Sequence, residues 1–291
     1  MYTRTHTRDI GHVKIERLVF IAERCSSLQV EAYRLALAEI KANTLNAKRY
    51  KQLILKLNAA LESHGQSPME FDAQWVEQTE TKVKRRYDEL EADLKGFRSN
   101  LIKESIRIGL HELADHHYAY GDLNNALRNY SRAREYCSTA AQTIENCLSI
   151  VRISHEMNNM SQVASQVIKA QSIPEAQEDA SIAAKLKASL AITKLDTSKY
   201  RQVAQMLTEI DFTAFTNARY EDVIAPNDIA VYGGLCALAT FNRADLKAKV
   251  LDSPNFRQYL ELEPQIRELI LAFYYADYEK CMREKEEANI Q

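Results

Sequence analysis

One stretch constrains the chain more than any other. It reads Leu110-His-Glu-Leu-Ala114, then Tyr118, Gly121-Asp122, Ala126, Tyr130 and Ala133. The small residues fall at helical spacing on either side of Gly121. Glycine takes a left-handed backbone cheaply and so ends a helix. Asp122 stands where a side chain can cap the next helix. Ala114, Ala126 and Ala133 let two helices approach closely, with Tyr130 filling the space beside them. The stretch 114–137 is thus predicted to be a tight antiparallel helical hairpin.

A helix with a small residue, Gly-Asp between the helices, then alanine, aromatic and alanine down the second helix is the pattern of a tetratricopeptide repeat. Weaker echoes follow. Leu123, Met160 and Tyr200 each stand just after a predicted inter-helix turn. Asn158-Asn159 and Thr197-Ser198-Lys199 replace the Gly-Asp turn, and Ala164 and Ala204 replace the close-contact alanine. Arg243-Ala244-Asp245-Leu246 and Ala276-Asp277-Tyr278 are read as two more turns of the same type.

Composition agrees. The chain has 7 Gly and 5 Pro, where average usage gives about 35 for the pair. Sheet proteins need both at their turns, so few turn residues point to helix. The expected fold class is all-α: a tetratricopeptide-like helical-repeat solenoid preceded by a long helix and an N-terminal helical segment. The expected parts are 1–98 (N-terminal helices and the long helix), 99–227 (repeats) and 228–291 (further hairpins). Helices are expected at about 13–25, 28–43 and 47–63, with a loop at His64–Pro68. The long helix starts near Asp72, with a seam of Trp75, Thr79, Val83, Tyr87, Leu90, Leu94, Phe97 and Leu101. Lys82, Lys84, Arg85 and Arg86, interleaved with Val83, form a basic cluster there, read as a solvated face first and an anion or partner patch second.

Function classes narrow by the same means. A net charge of -2 does not suit a nucleic-acid binder. No apolar run reaches 18 residues, so no transmembrane helix is expected, and Met1–Gly11 lacks the apolar stretch of a signal peptide. Five scattered cysteines without a CxxC pair are expected to be reduced thiols, buried as small hydrophobes in an intracellular protein. His111, Glu112, Asp115, His116 and His117 invite a metal hypothesis. The HExxH spacing fails, because Asp115 stands where the second histidine is needed. In repeat register Ile108, His111, Asp115 and Tyr118 line the groove of the solenoid, where partners bind. Gly233-Gly234 has no Lys-Ser/Thr after it and is read as a site of close helix packing. No cofactor is expected, and the chain is expected not to be an enzyme; a hydrolase holding a metal on His111 and Asp115 is the weaker alternative.

Three runs carry a resemblance: Lys14-Ile-Glu-Arg-Leu-Val-Phe-Ile-Ala-Glu-Arg-Cys25, Asn100–Arg107 leading into Gly121–Cys137, and Ile229-Ala-Val-Tyr-Gly-Gly-Leu-Cys-Ala-Leu-Ala239 followed by Phe256–Pro264. They resemble the subunit-1 family of the COP9 signalosome, over about residues 13–281. A related proteasome lid subunit shares the hairpin but not the Tyr-Gly-Gly-Leu-Cys-Ala-Leu-Ala run. The resemblance implies a helical-repeat half preceding a PCI domain, a non-catalytic role in the complex that removes NEDD8 from cullins, and a place in nucleus and cytoplasm. The partners it implies are the other signalosome subunits and components of cullin-RING ligases. A proteasome-lid or translation-initiation PCI subunit is the rival. The chain stops at Gln291, before a winged helix, and is therefore expected to be an N-terminal part of such a subunit.

Overall fold

A computed structural model describes residues 12–218, 220 and 223–287; the readings made of Met1–Gly11 and of the chain end lie outside them. The described residues form α-helices joined by short turns, with no strand among them. The chain divides into two compact units, 1–157 and 158–291.

The first unit holds α1 (His12–Arg24), α2 (Gln29–Asn43), α3 (Ala47–Ser63), α4 (Ala73–Ser99), α5 (Lys103–Ala119), α6 (Leu123–Ala133) and α7 (Ala140–Glu156). Each packs on its neighbour in sequence. Short side chains and aliphatics from α1, α2 and α3 close one core, including Ala36, Ile40, Leu53 and Leu57, all at 2% exposure or less. Val76 and Trp75 bring the start of α4 into that core. The far end of α4 packs elsewhere: Leu90 and Leu94 meet Ile106, Leu110 and Leu113 of α5. The long helix therefore lies inward along its length and ties the N-terminal helices to the first repeat. That is why the division between units falls inside the stretch 99–227 and not at residue 98.

The predicted seam holds through Phe97 and then fails. Leu101 is 82% exposed with φ of +52°. Helix α4 ends at Ser99, so the next apolar position has no helix to place it on the seam.

The second unit holds α8 (Met160–Gln171), α9 (Pro174–Glu178), α10 (Ala180–Asp196), α11 (Tyr200–Thr208), α12 (Phe212–Ala218), α13 (Pro226–Thr240), α14 (Arg243–Leu246), α15 (Pro254–Leu260), α16 (Pro264–Tyr274) and α17 (Tyr278–Glu287). Helix α13 lies against α11, α15 and α16. Its two glycines explain how. A Cβ on Gly233 would stand 3.1 Å from the Phe256 ring, and one on Gly234 would stand 2.8 Å from Ile266 Cγ2. Only bare backbone fits at this approach.

The predicted turns are largely the same device. Gly121, Asn158, Ser198 and Ala276 all have positive φ, between +55° and +87°. The 243–246 segment differs. Asn242 is extended and caps α14, which runs on into a π turn at Lys247–Leu251. It is a short helix rather than a left-handed turn. The close-contact positions also shift by one. Val163, not Ala164, is fully buried in α8, while Val203 and Ala204 are both buried in α11. Counted from each helix start, Val163 and Val203 match Ala126, so a β-branched residue fills the slot where α6 has alanine. Of the cysteines only Cys147 and Cys236 are buried; Cys25, Cys137 and Cys281 are half-buried, all with free thiols.

Candidate functional site

The hairpin and the residues around it lie in the first unit. Gly121 has φ of +87°. Its N–H donates to Tyr118 O at 3.0 Å, and the Asp122 N–H donates to His117 O at 2.9 Å, which closes the end of α5. Asp122 then caps α6 by accepting from the Asn125 N–H. Ala126 and Ala133 are fully buried and Tyr130 is 1% exposed. The loop between α2 and α3 docks onto this turn. Leu45 N–H donates to Ala119 O at 3.0 Å, and a Cβ on Gly121 would stand 2.1 Å from Asn46 Nδ2.

Ile108, His111, Asp115 and Tyr118 share one side of α5, and they differ in what they touch. Ile108 is exposed. His111 is half-buried, stacks edge-on against Tyr130 and accepts a hydrogen bond from Asn146 of α7 at 3.2 Å. Asp115 accepts from the Tyr130 hydroxyl and lies 3.6 Å from Arg152 Nη2. The Arg152 guanidinium sits 4.4 Å over the Tyr118 ring, whose hydroxyl donates to Glu156. His12, at the start of α1, also packs against that ring, with centroids 4.8 Å apart. Asp115, Tyr118, Tyr130, Arg152 and Glu156 thus form one polar network across α5, α6 and α7. Burial and the Asp115 carboxylate together push the Tyr130 hydroxyl well above its ordinary pKa. The phenol stays a donor at neutral pH and holds Asp115 in place.

Arg152 and Glu156 escaped the sequence reading. A signal was present: Leu123 and Met160 are 37 positions apart, and Arg152 is the same distance beyond Asp115. Carrying the groove register into the next repeat finds it.

The histidine cluster does not converge. His111 faces α7. His116 is buried and donates from Nε2 to Val83 O of α4 at 3.0 Å, while His117 pairs with Tyr120 at 2.6 Å. Burial, foremost, lowers all three pKa values. Among the described residues no group of three His, Cys, Asp or Glu side chains is placed to hold a metal, and no helix is long and apolar enough to cross a membrane. The Lys82–Arg86 cluster is solvated, with Arg85 and Arg86 both pairing with Glu89.

Paired helices closing on left-handed turns define an all-helical repeat protein. The family described as 26S proteasome subunit RPN7 matches residues 72–249, and the chain belongs to it. Within that frame the chain is also similar to proteins named for another complex. It is 40% identical, over 94% of its length, to COP9 signalosome complex subunit 1 of Arabidopsis thaliana. It is 34% identical over 94% of its length to the subunit of that name from Emericella nidulans. A 26S proteasome non-ATPase regulatory subunit 6 from Dictyostelium discoideum is 23% identical over 93%. The chain spans 60% of the Arabidopsis protein and 54% of the Emericella one.

Proposed function

We propose that the chain is part of a non-catalytic scaffold subunit of a COP9 signalosome and holds other subunits along the α5–α7 face. The observation that carries this reading is the 40% identity sustained over 94% of the chain to a protein named for that complex. The side chains agree with it. Asp115, Tyr118 and Arg152 are fixed by mutual contacts and remain partly open to solvent, so their order is established before a partner arrives. In this reading the chain works in nucleus and cytoplasm, in the complex that removes NEDD8 from cullins. Cullin-RING ligase components are then further partners, and the isopeptidase chemistry belongs to a different subunit.

Affinity purification of the tagged chain from cells holding its cognate complex tests the proposal. The remaining signalosome subunits are expected in the eluate, and Ile108→Glu, at the exposed position of the same face, should deplete them without lowering the melting temperature by more than a few degrees. A second reading, a proteasome-lid subunit, is supported by the family description itself and disfavoured by the drop to 23% identity. Proteasome lid proteins in the eluate, with no signalosome subunits, would establish it instead.

A further inference from the structure

In the first unit, many cations are matched. Lys14 pairs with Glu39, Lys41 with Asp72, Arg49 with Glu16, Lys51 with Glu80, Lys56 with Glu23 and Arg107 with Glu104. Others, such as Lys48, Lys82, Lys84, Lys103 and Arg134, stand without an ion pair among the described residues, but in one place four of them gather. A cleft of ≈ 640 Å³ opens between the second half of α4 and α6, and Lys95, Arg98, Arg128 and Arg132 line it. None of the four makes an ion pair or side-chain hydrogen bond among the described residues. Four unpaired cations from two helices around one hollow repel each other, and a bound anion would relieve that repulsion.

A second observation points the same way. Asn129 also lines the cleft. It is 5% exposed, and its side-chain amide has no hydrogen-bond partner among the described residues. Its polar atoms are not sealed from solvent, so water in the cleft satisfies them until a ligand takes its place. The amide supplies a donor in the floor of a hollow whose rim supplies the charge. Arginine in pairs matches the geometry of phosphate and carboxylate oxygens.

The anion's length is bounded. Asp88 and Glu91 line the same cleft and lie about two turns and one turn, respectively, before Lys95 on α4, so one end is acidic. A long polyanion tracking the groove would meet them; a short anionic segment would not. We propose that the α4–α6 cleft binds a short acidic segment of a partner protein, with a phosphorylated side chain as its anchor between Arg98, Arg128 and Arg132 and the Asn129 amide beneath it. Arginine clusters serve phosphopeptide and acidic-motif recognition in this way. The site lies apart from the α5–α7 face, so it stands or falls separately from the assignment to a complex.

Fluorescence anisotropy with the full chain tests it. The probe is a fluorescein-labelled peptide in which a phosphoserine is flanked by glutamates. Saturable binding at low salt, weakening as NaCl rises, is expected. The same peptide without phosphate should bind about tenfold more weakly, and a version with serine and glutamines should not bind. Arg98→Glu with Arg128→Glu should weaken the phosphopeptide by at least about a hundredfold. Lys199→Glu with Arg201→Glu, an equal charge change in the other unit, should leave it within about twofold. Asn129→Leu, which keeps the volume, should weaken it by about three- to tenfold. No binding at low salt, or equal loss in both double variants, overturns the proposal. So does an oligothymidylate that binds as tightly and with the same sensitivity, since the cleft would then be a general polyanion surface.

Discussion

The α5–α6 and α10–α11 hairpins make the same turn with different residues. Gly121 N–H donates to Tyr118 O and Asp122 N–H to His117 O, at 3.0 and 2.9 Å. Ser198 N–H donates to Leu195 O and Lys199 N–H to Lys194 O, at the same two distances. Both hinge residues are left-handed, at +87° and +57°. Serine holds a left-handed backbone in the second unit, though at a φ 30° smaller, so the backbone of Gly121 itself favours glycine more strongly. The neighbour adds to this at 121, because the Asn46 side chain occupies the space a Cβ would need. The second difference is the cap. Asp122 accepts from the backbone of α6, whereas Lys199 provides no side-chain cap to α11.

The largest test of this comparison is Gly121→Val. It adds a β-branched residue at positive φ and drives it into Asn46, and a loss of about 3 kcal/mol or more in urea unfolding is expected. Gly121→Ala in wild-type and Asn46→Ala backgrounds separates the two causes. If the neighbour matters, the loss should shrink by about 1 kcal/mol when Asn46 is truncated; an unchanged loss would assign the whole effect to φ. Next comes the cap. Asp122→Ala should cost about 1 kcal/mol by the same measurement, and Lys199→Asp should gain a few tenths to about 1 kcal/mol. Smaller still, Ser198→Gly should stabilise by about 0.5 kcal/mol, relief of the left-handed backbone being partly cancelled by the freer unfolded chain.

Acidification probes the two units in another way. Every histidine of the chain lies before residue 158. His111, His116, His117 and His155 are all held below the ordinary value of 6.5, chiefly by burial. A depressed histidine pKa means that the unfolded chain takes up the proton first. The stability these four provide is full above 6.5 and is lost as pH falls below it. Hydrogen exchange compared at about pH 7 and pH 5 should show protection falling more in α5 and α7 than in α10 and α13. Equal loss in both units would contradict this.

Much of the fold was legible because local chemistry and tertiary packing agree. The scarcity of glycine and proline, the small-residue spacing of 114, 126 and 133, and the bare backbone of Gly233-Gly234 each have one physical reading, and the structure places each accordingly. What escaped has a different cause. Leu101 keeps the seam's spacing but follows the helix end, and periodicity cannot see that. Asn158, Ser198 and Ala276 take a glycine-like conformation without glycine, so nothing in their identity reports it. Arg98 and Arg128 are far apart in sequence and share a cleft only because α4 and α6 both pack on α5, whereas in the contiguous Lys82–Arg86 run, which catches the eye, Arg85 and Arg86 pair with Glu89. The groove residues were found in register on α5, and their partners on α7 needed the repeat interval carried forward once more.

The bond from Leu45 N–H to Ala119 O, with Asn46 seated on Gly121, has a mechanical consequence. It staples segments more than 70 positions apart in the chain, bridging over the exposed loop at 64–71. That loop is the natural place for a protease to cut. A single nick there should not release a fragment: α1–α3 would stay riveted to the hairpin by this staple and by Val76 in their core. The two pieces should migrate together on a sizing column and part only in denaturant. The N-terminal helices are thus the buttress on which the first repeat is built.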